Sequence, residues 1–175
     1  MKQLLLSFFL ILTVYSSFSI AQTVMQPINE EEIKEPDNDK DGIPNRLDKC
    51  PNTIDGVCVD GNGCIAKIRR VVHFASDSYI VDERSKPLVK SILEIAQECF
   101  GYKIVLKGYT DSTGSDDLNK ELSRKRVLSI QTTLLNYGID PKRITIKWYG
   151  EEDPLDSNKT KKGRYKNRRV EILFY

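Results

Sequence analysis

From Ile65 to Tyr175 the apolar positions follow two alternating rhythms. Ile68 to Phe74 (IRRVVHF) is rich in β-branched and aromatic residues and reads as a strand. Between Asp82 and Cys99 the positions Leu88, Ile92, Ile95, Ala96 and Cys99 keep helical spacing, with Asp82 or Asp77 able to cap the start. Lys103 to Tyr109 alternates and predicts a second strand. A second helix is expected from Ser115 or Asp116 to Tyr137, with Ser115 as N-cap and Gly138 as its stop. Ile144 to Tyr149 predicts a third strand, Gly150 to Asn167 a polar loop rich in lysine toward its end, and Arg168 to Tyr175 the last strand. Strands alternating with helices in this order predict an α+β, two-layer β-α-β-α-β-β sandwich with both helices on one face of the sheet.

The second helix carries an anomaly. At about 100° per residue, Asn119, Ser123 and Arg126 share one face, and Ile130, Leu134 and Tyr137 continue it. An arginine and an asparagine thus stand on the stripe that becomes core-facing further along. A buried charge needs a partner, and Asp111, in the turn Thr110-Asp111-Ser112-Thr113-Gly114-Ser115, is the natural candidate. Two readings follow from these residues. One is a structural salt bridge tying turn to helix. The other is a clamp for a small zwitterion, with Asp111 taking an ammonium and Arg126 a carboxylate, helped by the free amides at the helix N-terminus.

Upstream the pattern changes. Met1-Lys2 followed by the apolar run Leu4 to Tyr15, with Ser19-Ile20-Ala21 supplying small residues at −3 and −1, predicts a signal peptide over 1–21 cut after Ala21. No cysteine stands at that cleavage site, so a lipid anchor is not supported. Residues 22–36 are polar and acidic and read as a linker. The whole chain of 175 residues, 39% hydrophobic and 30% charged with a formal net charge of +2, fits a soluble globular domain plus something small and argues for no polyanionic partner. Four cysteines, Cys50, Cys58, Cys64 and Cys99, fall in the exported part, where an even count favours disulfides. Cys50 and Cys64 flank one small loop and are the first pair expected. Cys58 and Cys99 are then a second pair or two free thiols.

Asp37 to Asp48 (DNDKDGIPNRLD) places Asp37, Asp39, Asp41, Asn45 and Asp48 at positions 1, 3, 5, 9 and 12 of a twelve-residue loop. Gly42 falls where such a loop turns sharply, and Ile43 can offer its backbone carbonyl at position 7. Calcium, a hard cation wanting six to eight oxygens, is the ion this spacing suits. Asp48 replaces the usual bidentate glutamate. The flanks are not those of an EF-hand, since Pro44 and Pro51 break one side and Glu30 to Glu35 is too charged on the other. Extended through Cys50-Pro51, Gly56, Val59-Asp60 and Gly63-Cys64, the run over 37–64 resembles a thrombospondin type 3 repeat, a module that implies calcium; Cys58 lies outside that pattern.

The remainder, 65–175, carries Gly108-Tyr-Thr-Asp-Ser-x-Gly114, Asn119-x-x-Leu122-Ser123-x-x-Arg126, Gly138, Tyr149-Gly150-Glu151, Pro154 and Asn167-Arg168-Arg169-Val170-Glu171 in order. With these it resembles an OmpA-like C-terminal domain, over about Val71 to Tyr175. The resemblance implies non-covalent binding of peptidoglycan, with Asp111 and Arg126 holding the diaminopimelate of the stem peptide. Asn119 and Thr110 lie beside that site, and Arg168 stands on the parity of Val170, Ile172 and Phe174, from which it can reach the same side. It also implies a periplasmic protein associated with the cell outer membrane, with outer-membrane proteins as further partners. The sequence departs from the family at Tyr109, where histidine is usual, and at Ala75-Ser76-Asp77, where an acid often follows Phe74 directly. The competing function is calcium-dependent adhesion or assembly, because Glu30 to Asp48 carries eight acids against three bases. An enzyme is not expected: His73, the one histidine, sits within a strand, and no nucleophile motif, phosphate loop or zinc spacing is present. The basic run Lys159 to Arg169 lacks interleaved aromatics other than Tyr165, so no nucleic acid is expected.

Overall fold

The computed structural model describes residues 35–175; the expected signal peptide and most of the linker lie outside the described residues. Four strands form one sheet, β1 (Ile68–His73), β2 (Ile104–Gly108), β3 (Ile144–Trp148) and β4 (Arg169–Phe174). Their spatial order is β1-β4-β2-β3, with β4 antiparallel to both neighbours and β3 parallel to β2. The last strand in sequence therefore lies in the middle. This explains its near-continuous burial, from Arg169 to Phe174. Two helices, α1 (Lys86–Glu98) and α2 (Asp116–Asn136), lay Val89, Ile92, Leu93 and Ala96, and Val127, Ile130 and Leu134, against Val72, Ile104, Leu106, Val170, Ile172 and Phe174. This is the two-layer α+β sandwich that the periodicity predicts.

Three local expectations are corrected. The first helix begins at Lys86 rather than Asp82, because Pro87 fits only an opening turn; ahead of it lies a 3-10 turn, Glu83–Ser85, whose Ser85 amide is capped by Asp82. The polar stretch 150–167 is not all loop. It ends in a short helix, α3 (Lys161–Asn167), whose Thr160 side chain accepts from the Gly163 amide at 2.9 Å. Tyr137, placed on the buried face of α2 by the helical wheel, is 62% exposed, since it already lies in the cap beyond the last turn. Gly138 at φ +85° then takes the left-handed step that ends the helix.

Ahead of the sandwich, residues 35–66 are irregular apart from one bridge between Val59 and Ile65. Two disulfides hold them: Cys50–Cys64, as expected, and Cys58–Cys99, which joins this segment to the end of α1. Around the second bond, Val57 and Cys58 pack on the sandwich core. The Tyr102 hydroxyl donates to the Cys58 carbonyl at 2.7 Å, and the Gly101 amide donates to the Gly56 carbonyl at 2.6 Å. No helix among the described residues is long and apolar enough to cross a membrane.

Candidate functional site

The site is built where β2 runs out beside α2. A Cβ at Gly108 would strike the Ser123 carbonyl and Val127, so only glycine lets the strand pass this close to the helix. The chain beyond it is pinned by the Tyr109 amide on the Arg169 carbonyl (2.9 Å) and the Thr110 amide on the Gly150 carbonyl (2.7 Å). Ser123 receives the Gly150 amide at 3.0 Å, and the Asn119 side chain donates to Glu151 at 2.7 Å. Asn119, Ser123 and Arg126 are all buried, as their shared helix face predicts.

Arg126 is fully buried, yet it does not pair with Asp111. Its Nε donates to the Ser78 carbonyl (2.8 Å), Nη1 to the Tyr109 carbonyl (2.9 Å) and Nη2 to the Ala75 carbonyl (3.1 Å), while the guanidinium lies over the Phe74 ring. These acceptors are all neutral. The carboxylate goes instead to Arg168, whose Nη1 stands 2.7 Å from Asp111 Oδ2 and whose Nε donates to the Phe74 carbonyl at 3.0 Å. Asp111 Oδ1 accepts the Thr113 amide at 3.1 Å. Of the two readings of this helix face, the direct Asp111–Arg126 salt bridge is not formed; Asp111 pairs with Arg168, because the turn presents the acid toward α3's end and leaves backbone oxygens around Arg126. Arg168 reaches the site as its parity suggested, although it caps α3 and the strand starts at Arg169.

The electrostatics follow from this sharing. Burial, reinforced by the neighbouring Arg168 charge, pushes the Arg126 guanidinium down to about 10, with Asp111 and Asp77 offsetting part of the fall. Burial pulls Asp111 upward, but the Arg168 hydrogen bond and the Thr113 contacts outweigh it and hold the carboxyl below its usual range. Two guanidiniums therefore stand beside one hydrogen-bonded carboxylate. Thr110 Oγ1 is buried without a hydrogen-bond partner among the described residues.

The two departures from the family pattern leave the cluster closed. Tyr109 is not a rim residue. Its ring is buried between the Arg169 guanidinium, 3.7 Å from the ring centre, and the Tyr149 ring at 5.1 Å, and burial followed by the Glu171 charge pushes its phenol up to about 12. Ala75 contributes only its carbonyl, which any side chain would leave in place. Asp77 adopts a left-handed φ of +51° and acts on Arg126 through its charge. His73 stacks on Tyr165 with ring centres 4.9 Å apart.

The acidic segment forms a second cluster. Asp37, Asp39 and Asp41 bring carboxylate oxygens within 4.8 Å of one another. Asp37 accepts the Lys40 and Gly42 amides at 2.8 and 3.0 Å, and Asp41 Oδ1 accepts the Ile43 amide at 2.8 Å. Asp39 Oδ1 and Asp41 Oδ2 are buried with no partner among the described residues. Asp48 stands outside this group of three: its Oδ1 accepts the Cys50 amide at 2.7 Å, although it and Asp41 Oδ2 both lie against Gly63, where a Cβ would collide with Asp48 Oδ1. Asn45 is exposed, and its Oδ1 accepts the Asn38 amide at 2.9 Å.

Comparisons with known proteins place the family and the fold. The profile of the OmpA family matches residues 73–168. The chain is 38% identical over 141 residues to outer membrane porin F of Pseudomonas aeruginosa, covering 77% of this chain and 40% of the porin. It is 29% identical over 119 residues to the peptidoglycan-binding protein ArfA of Mycobacterium tuberculosis, covering 67% of this chain and 36% of ArfA. The chain thus spans well under half the length of these relatives. Among solved structures, the peptidoglycan-associated lipoprotein of Burkholderia pseudomallei shares the fold with a TM-score of 0.58 at 24% identity, over 61% of this chain and 90% of that one.

Proposed function

The chain belongs to the OmpA family, and from that premise we propose that it binds peptidoglycan non-covalently in the bacterial envelope, as an exported protein associated with the outer membrane. It is a binding module, not an enzyme. The ligand we infer is the diaminopimelate of the stem peptide. Its ammonium meets Asp111, and its carboxylate meets the two cations, Arg168 toward the surface and Arg126 behind it. Thr110 and Asn119 line the same turn. The observation that carries this reading is Arg126: a fully buried cation whose hydrogen bonds go only to carbonyls. Such a charge lacks a counter-ion of its own, and an incoming carboxylate supplies one.

The test is a pull-down on purified peptidoglycan sacculi. Asp111→Asn keeps the shape of the turn and removes the charge. It is expected to weaken binding by about 1.5–3 kcal/mol, the worth of a charge-assisted contact, or roughly tenfold to a hundredfold. Binding equal to the parent's would remove Asp111 from the site.

For the acidic segment we propose a calcium site held by Asp37, Asp39 and Asp41, with Ile43, Asn45 and Asp48 completing the loop. Two buried, unpartnered carboxylate oxygens support it, since a hard cation would satisfy both. Titration of calcium into the disulfide-intact protein is expected to release heat and to raise stability by about 2.7 kcal/mol at a hundredfold excess over Kd. Asp39→Asn combined with Asp41→Asn should abolish both signals. A silent titration of the intact protein sinks the metal assignment.

A further inference from the structure

Beside the Asp111 turn lies a run of charge of one sign. Residues 157–167 contain Lys159, Lys161, Lys162, Arg164 and Lys166 and no acid. The nearest carboxylate in sequence, Asp156, is engaged by Lys166 at 2.7 Å. Lys159, Lys161 and Lys162 are exposed, and among the described residues none of them stands within ion-pair distance of a carboxylate. Arg164 is half-buried, with Nη1 on the Asn158 carbonyl at 2.8 Å.

This strip is fixed to the candidate site at both ends. Asn158 Oδ1 accepts the Ser112 amide of the Asp111 turn at 3.3 Å and the Asn167 side chain at 2.8 Å. At the other end Arg168 is held by Asp111. Between them Gly163 packs so tightly on the Ser157 carbonyl that no Cβ fits. The lysines are therefore exposed on a braced segment that is tied to the Asp111 turn.

We propose that Lys159, Lys161 and Lys162 hold further carboxylates of the peptide whose diaminopimelate enters the Asp111 site. This rests on the reading of that site as a peptidoglycan site. The occupant is chosen by charge complementarity and continuity: the strip is carried on the same turn and the same arginine that form the Asp111 site, and an acidic peptide anchored there finds cations of the opposite sign next to it. Nucleic acid is disfavoured, because the strip carries one aromatic side chain, Tyr165, already stacked on His73, where single-strand binding asks for several stacking rings between the cations. A lipid surface would ask for several apolar side chains beside the cations, and Leu155 is the one exposed large apolar residue that precedes the strip.

The experiment measures calorimetric affinity for two probes, free diaminopimelate and a soluble disaccharide-tetrapeptide, with phosphatidylglycerol vesicles as a third arm. The variant is Lys159→Gln with Lys161→Gln and Lys162→Gln, checked by thermal melting. For this variant the tetrapeptide is expected to bind about tenfold more weakly, the sum of three modest exposed ion pairs, and to lose most of its salt dependence. Diaminopimelate affinity should be unchanged. Asp111→Asn should weaken both probes. If the lysine variant binds the tetrapeptide as the parent does while Asp111→Asn still weakens it, the strip is overturned and the site reading stands. An equal loss for both probes, or a loss confined to vesicles, also overturns it. If the parent binds neither probe, the site reading falls and the strip with it.

Discussion

Replacing Arg126 by alanine is expected to lower unfolding stability by about 2–5 kcal/mol, the range for truncating a large buried side chain and a large share of what a domain of this size possesses. The figure follows from what the side chain holds together. Its three donors bind carbonyls of Ala75 and Ser78, in the loop after β1, and of Tyr109 at the end of β2. Truncation strips the buried Tyr109 carbonyl of this donor, frees the Ala75 and Ser78 carbonyls from the helix, and opens a cavity over Phe74. Arg126→Lys is the informative companion. It keeps the charge, but a single ammonium cannot span three acceptors set in a fork, so it should recover only part of the loss. Urea denaturation of the three proteins reads the ranking, and binding to sacculi under folded conditions reads the site. A fully stable alanine variant would show that the loop after β1 is held by something else.

The same arginine marks how far the residue pattern reaches. Its helix face, its burial and its company with Asn119 and Ser123 follow from 3.6-residue periodicity, because one stripe of α2 must meet the sheet. Its partner does not follow. A pattern of side chains suggests side-chain partners, whereas Arg126 binds three backbone carbonyls, and which carbonyls converge depends on how two loops close. Asp111 then pairs with a residue 57 positions later in the chain. Motif order made that pairing accessible only through the parity of β4. Helix α3 was hidden for a different reason: Gly163 and Asn167 are its buried residues, so it carries no apolar stripe, and only its Thr160 cap marks it. Tyr149-Gly150-Glu151 stood out as a motif, yet its work, holding Thr110 and Asn119 in place, shows only when the turns are assembled.

Removing the Cys58–Cys99 bond, by Cys58→Ser with Cys99→Ser, is expected to be the other costly change. In the chain-entropy description a bridge across 41 residues is worth about 4 kcal/mol, against about 3 kcal/mol for Cys50–Cys64 across 14. The surroundings sharpen the prediction. Arg143 donates to the carbonyls of Ala96, Cys99 and Tyr102, and the Tyr102 hydroxyl bonds the Cys58 carbonyl, so the sulfur bridge sits within a polar knot that also fixes the end of α1. Cys99 itself is 1% exposed, so a serine there buries a hydroxyl where a bonded sulfur had been. The double variant should therefore lose at least as much as the entropic figure, and hydrogen exchange should rise at both Gly101 and Tyr102, far from the Asp111 site. Cys50→Ser with Cys64→Ser should instead affect the acidic segment, and its loss should be partly recovered by calcium if the metal assignment holds. The reverse order of stability losses would mean that residues 56–66 stay on the sandwich through packing alone, and that the second bridge records the oxidising compartment without bracing the fold.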